Sequence, residues 1–212
     1  MTELDHLTVI APDLATGVAW VRDVLGVDVP RGGAHPKMGT HNHLLRLGDD
    51  LFLEVVAVDP DAPRPPHRRW FGLDDRAAVE RHWQAGRRLR CYVARCTGVA
   101  ETIGTEGDTF GAPTQLTRGD LSWTFAVRTD GELPAGGALP HLMDWGPRGN
   151  PAQTMPDFGL RLRELTVETP DPDTVQSALD TIGMTGKPSI RRADAVRLSA
   201  KIETPQGLRT LT

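Results

Sequence analysis

Apolar and polar positions alternate with a period of two over LDHLTVI and again over LRELTVE, and each run ends near a Pro-Asp pair. Aligned, residues 4–16 (LDHLTVIAPDLAT) and 162–174 (LRELTVETPDPDT) agree at seven of thirteen positions, which marks an internal repeat. Beyond Pro-Asp the period lengthens. Leu14, Val18, Val21 and Leu25 fall on one helical face, and Val175, Leu179 and Ile182 on another. Asp13 and Asp171 are placed to cap these helices, Pro172 takes the favoured first position, and Gly26 and Gly183 stop them.

Strand patterns follow each helix. HNHLLRL (41–47) and LFLEVVAV (51–58) flank a Gly48-Asp49-Asp50 turn; VRLSAKIE (196–203) and LRTLT flank TPQG. A weaker third copy occupies the middle, with RLRCYVARC (88–96), a short helix from Gly98 to Ile103, LSWTFAVRT (121–129) and LPHLMDW (139–145). The expected class is α+β, built from strand-helix-meander units at 1–60, 87–146 and 160–212. The first two make one domain, 1–146, joined by the Pro- and Arg-rich DAPRPPHRRWFG (61–72) and a helix that Asp74 caps and Gly86 ends. Residues 146–159 have the composition of a loop.

Composition narrows the partners. The 212 residues carry 24 basic and 28 acidic side chains, a formal charge of −4 that gives no field to hold a phosphate backbone, so small molecules are expected and nucleic acid is not. No 18-residue apolar stretch occurs, and Glu3, Asp5 and His6 stand where a signal peptide would be basic; a cytoplasmic protein with no membrane span is expected. Cys91 and Cys96 read as reduced thiols, with Cys91 a small core residue. Walker, Rossmann, HExxH and GxSxG motifs are absent.

Two residues stand out for chemistry. His6 sits mid-strand, and Glu54 sits in a run apolar on both faces, where a carboxylate needs an ion pair, a proton, a metal or a wet edge. GGAHPKMGTHNH gathers His35, His41 and His43 around glycines, so Gly39, Thr40 and Asn42 join His35 and His41 as a candidate ligand loop. Trp123 and Trp145, and Trp70 after the Arg-rich linker, serve either as core or as the aromatic wall of a ligand cup.

With His on a first strand and Glu on the last strand of a strand-helix-meander unit, the chain resembles the vicinal oxygen chelate superfamily, the glyoxalase, bleomycin-resistance and dioxygenase group. LDHLTVIAPDL, GGAHPKMGTHNHLLRLGDDLFLEVVAVDP and LPHLMDWG look like its glyoxalase-like domain proteins. The resemblance implies βαβββ modules forming cupped sheets, with a divalent metal (zinc, iron, manganese or nickel) on His6, Glu54 and Asp144. The implied activities are a metal-dependent lyase, isomerase or dioxygenase, with Glu164 as a base if the third unit closes over the cup, or metal-free sequestration of a ligand. An odd number of units leaves one sheet to pair with a second copy, so a homodimer is a further expectation.

Overall fold

The first strand-helix segment forms β1 (Glu3–Ile10) and α1 (Leu14–Leu25). Asp13 caps α1 by accepting from the Thr16 amide at 2.8 Å, and Gly26, at φ 73°, provides the left-handed stop. Gly17 is needed where α1 crosses the sheet, because a Cβ there would stand 2.6 Å from Ala11 Cβ and from Val55 Cγ1. β2 (Arg31–His35), β3 (Thr40–Arg46) and β4 (Phe52–Val58) follow, and β4 returns parallel to β1 with Glu54 opposite Thr8. The glycines read as a loop thus lie largely in a strand. Gly32 leaves room for the Asn42 side chain, whose Oδ1 accepts from the Gly33 amide at 2.9 Å, and Gly33 leaves room for the Arg118 side chain.

The computed structural model describes residues 1–119 and 121–212. The linker leads to α2 (Arg76–Gln84), capped by Asp75 rather than the expected Asp74, because Asp74 is engaged by the Arg69 guanidinium at 2.7 Å. The second unit comprises β5 (Leu89–Arg95), α3 (Val99–Ile103), α4 (Gly107–Phe110), β6 (Ala112–Arg118), β7 (Leu121–Val127) and β8 (His141–Asp144). β8 runs parallel to β5, with His141 opposite Val93. β1 and β5 pair antiparallel, fusing both units into an eight-stranded sheet of order β2-β3-β4-β1-β5-β8-β7-β6. Across that seam His6 faces Val93 and Thr8 faces Cys91, so the two halves are related by a local two-fold. Cys91 is therefore the counterpart of His6, and His141 that of Glu54. The sheet curls until its edges meet, with Lys37 beyond β2 donating to the Gln115 carbonyl of β6 at 3.0 Å.

Period-two alternation sends each strand's side chains into two cores. Leu7, Val9, Leu53, Val55, Tyr92 and Leu142 face outward onto α1 and the third unit; Ile10, Val56, Cys91, Val93, Phe125 and Met143 face into the cup. Trp70 and Phe71 of the linker join the inner cluster and fill much of the cup. Phe71 holds φ 61°, a conformation that costs a bulky residue roughly 1–3 kcal/mol and persists because the surrounding packing imposes it.

The third unit has β9 (Arg161–Thr169), α5 (Pro172–Thr181), β10 (Ser189–Arg192), β11 (Arg197–Thr204) and β12 (Gly207–Leu211). Its order of elements repeats the first unit, and its pairing does not. β9 takes β10 as parallel neighbour and β11 as antiparallel one, giving β10-β9-β11-β12, whereas β1 is parallel to the last strand of its unit. This smaller sheet docks outside the large one through the Leu162 amide on the Leu47 carbonyl (3.0 Å) and the Arg88 and Leu89 amides on the Thr212 carbonyl (both 2.9 Å). No helix among the described residues is long and apolar enough to cross a membrane.

Candidate functional site

The polar end of the cup is built around two carboxylates and an imidazole. A register shift in β1 between Leu4 and His6 breaks the alternation and lets Asp5 and His6 both turn into the protein, at 0% and 5% exposure. Asp5 Oδ1 lies 2.6 Å from His6 Nδ1; its other oxygen accepts from Trp145 Nε1 at 2.9 Å and Asn150 Nδ2 at 2.6 Å. Asp5 therefore fixes the proton on Nδ1, and Nε2 is left facing Glu54 Oε2 at 3.7 Å. The His6 ring stacks on Phe52, centroids 4.5 Å apart.

Glu54 is partnered as a buried carboxylate must be: Asn42 Nδ2 donates to its Oε1 at 2.6 Å. Asn42 is oriented in turn by the Gly33 amide and by Arg118 Nη1 at 3.4 Å, both donating to its Oδ1. Its amide nitrogen also faces His35 Nε2 at 3.3 Å, and His35 Nδ1 meets Thr40 Oγ1 at 3.0 Å, where Trp70 Nε1 donates too (3.3 Å). Burial holds His35 well below the ordinary 6.5, at about 4, so the ring is neutral and bonds through both nitrogens.

The structure thus brings together His6, Glu54, His35, Thr40 and Asn42, with Trp123 and Trp145 (5.7 Å apart) as an aromatic wall. Others stand apart. His41 alternates to the opposite face of β3 from Asn42 and reaches toward Asp59 at 3.9 Å, while Gly39 makes the β2–β3 turn at φ 60°. Asp144 lies three residues beyond the Glu54 counterpart, its oxygens accepting from the Gly98 and Gly146 amides at 2.8 and 2.7 Å. Glu164 is on the smaller sheet, where a hydrogen bond from Lys201 at 2.8 Å lowers its pKa. Among the described residues, no three His, Cys, Asp or Glu side chains are arranged to hold one metal ion.

Asp5, His141 and Phe71, which the sequence reading passes over, stand at this candidate site beside Trp70. His141 is fully enclosed, 5.0 Å from Phe71 and 5.2 Å from Phe125; burial holds it neutral, near 4, and its Nε2 has no partner among the described residues. Cys91, opposite Thr8, is held as a neutral thiol by burial. The open space between these groups is about 30 Å³, room for one water. Trp145 separates it from a polar outer groove of about 470 Å³ that Arg95, Asn150 and Asp144 line.

One solved structure shares this architecture. A hypothetical protein from Staphylococcus aureus superposes with a TM-score of 0.63 at 13% identity, covering 93% of this chain and 88% of that one. Methylmalonyl-CoA epimerase from Mycobacterium tuberculosis gives 0.44 at 16% identity over 68% of this chain and 89% of its own, and a single-substitution variant of the Streptomyces coelicolor enzyme gives 0.42 at 18% over 68% and 94%. No curated protein matches the sequence. The model of the glyoxalase-like domain family matches residues 4–183, running from β1 through α5. The chain belongs to the glyoxalase-like domain family.

Proposed function

We propose that the protein binds a small molecule at the polar end of the cup and acts on it through His6 and Glu54. The observation that carries this reading is the line Asp5–His6–Glu54: a buried carboxylate on Nδ1 at 2.6 Å and a second carboxylate 3.7 Å from Nε2. Such a line both positions a base and readies it for a proton. Asp5 keeps the proton on Nδ1 and Asn42 immobilises one Glu54 oxygen, so Nε2 and Glu54 Oε2 are the atoms left to meet a ligand. A ligand larger than one water enters by displacing Trp145 toward the outer groove.

The divalent ion implied by the family fits this pair in part. His6 and Glu54 would hold it, and the Asp5 carboxylate behind His6 is the outer partner that metal-binding imidazoles commonly have. When bound, the ion would polarise a ligand's adjacent oxygens as a Lewis acid. Because no group of three donors is arranged among the described residues, metal-free ligand sequestration is the second reading, and the aromatic filling of the cup by Trp70, Phe71 and Trp123 favours it.

Tryptophan fluorescence during titration with α-hydroxyketones and catechols, which carry two adjacent oxygens, tests the site. Saturable quenching is expected in the wild type and should be lost in His6→Ala and Glu54→Gln. Quenching that persists in both variants would move the ligand elsewhere.

A further inference from the structure

A second cavity, about 550 Å³, lies at the seam between the large sheet and the third unit, between the end of α2, the start of β5, and β11 and β12. Arg87, Arg90, Arg197 and His82 line it, with Leu89, Val196 and Leu198 as an apolar wall. Among the described residues, none of those three guanidinium groups has a carboxylate or hydrogen-bond partner, whereas Arg69, Arg95, Arg128 and Arg161 are paired with Asp74, Glu3, Asp130 and Asp157. Arg87 Nε, Arg90 Nη1 and His82 Nδ1 are moreover buried and unpartnered.

The acids nearby do not balance the cations. Among the described residues Glu168 is the one side-chain carboxylate in the lining; Glu132 and Asp75 act on Arg90 through space, and Arg81 adds a further cation near His82. Burial, then Arg90, Arg87 and Arg81, lowers His82 to about 4, so it is a neutral hydrogen-bonding ring. Three arginines against one glutamate leave the side chains of the lining at +2 (3 − 1), and like charges held together in a partly desolvated cavity repel, which an entering anion relieves.

We propose that this seam is a binding site for a small organic phosphate, with Arg87, Arg90 and Arg197 on the phosphoryl oxygens and the organic part against Leu89, Val196 and Leu198. Guanidinium forks match phosphate geometry, and the cavity is far larger than the anion alone. The site is separate from the cup and uses neither His6 nor Glu54.

Calorimetric titration at matched ionic strength, with phenyl phosphate and with inorganic phosphate, tests it. Saturable binding of phenyl phosphate, tighter than phosphate, is expected. Arg87→Gln/Arg90→Gln should weaken it by about tenfold or more, the loss of at least one charge-assisted contact. Arg197→Gln, an exposed strand position, should weaken it by a smaller factor and serves alone if the double variant does not fold. His6→Ala should leave it unchanged. Absence of saturable binding, equal affinity for both probes, affinity unchanged in the arginine variants, or loss in His6→Ala would overturn the proposal.

Discussion

The two halves of the eight-stranded sheet share topology and differ in what they place inside the cup. In the first half, His6 and Glu54 meet across β1 and β4, backed by Asp5, Asn42 and His35 in a connected polar network. In the second half the corresponding positions are Cys91, a neutral thiol, and His141, a neutral ring packed on Phe71 and Phe125. Duplicated topology has thus kept two backbones alike while only one retains a line of polar atoms able to meet a ligand. The other supplies wall: Trp123, Phe125 and Met143.

Substitutions at matched positions break this comparison most sharply. Asp5→Ala leaves His6, Trp145 and Asn150 without their acceptor and should cost about 3–5 kcal/mol in denaturant unfolding. Arg90→Gln, the matched residue before Cys91, has no partner to lose and should change stability by no more than about 1 kcal/mol.

Acid comes next. His35 and His141, one in each half, titrate near 4 when folded against an ordinary 6.5, so below 6.5 the unfolded chain takes up protons that the folded one refuses. Stability is therefore complete above 6.5 and falls as pH drops toward 4, by roughly 3 kcal/mol per histidine. His141→Phe should remove its share of this slope, measured by unfolding at pH 7 and pH 5, with little change at pH 7. His35→Phe should lose stability at pH 7 as well, because Thr40 and Asn42 lose a partner.

Cys91→Ala should have a comparably small effect, about 1 kcal/mol from one buried sulfur, with quenching by the two-oxygen ligands unaltered.

What the sequence made legible was local. The strand, cap and helix of each repeat rest on spacings of two to four residues and on Asp13 and Asp171, and those features decide β1-α1 and β9-α5 without help from distant chain. His6 and Glu54 were legible because a polar residue in an apolar run needs a reason. Asp5 was not, since its burial depends on a shift in β1 register and on donors from Trp145 and Asn150, far along the chain. The resemblance implies Asp144 as the carboxylate of the second unit's last strand, yet alternation along β8 turns His141 and Met143 inward, and which pair faces the cup is set by pairing with β5. The strand order of the third unit's sheet, where β10 takes the place beside β9, is equally non-local, and a linker read as a connection turns out to fill the cup with Trp70 and Phe71.

The most direct measurement is long-range ¹H–¹⁵N correlation of the imidazoles during titration with Zn²⁺. His6 Nε2 should shift first, saturating near one equivalent, in the wild type and in Cys91→Ala, with His141 unmoved and the response gone in Glu54→Gln. A first response at His41, His43 or His82, or a His6 signal indifferent to the ion and to Glu54→Gln, would contradict the assignment of the working pair to His6 and Glu54.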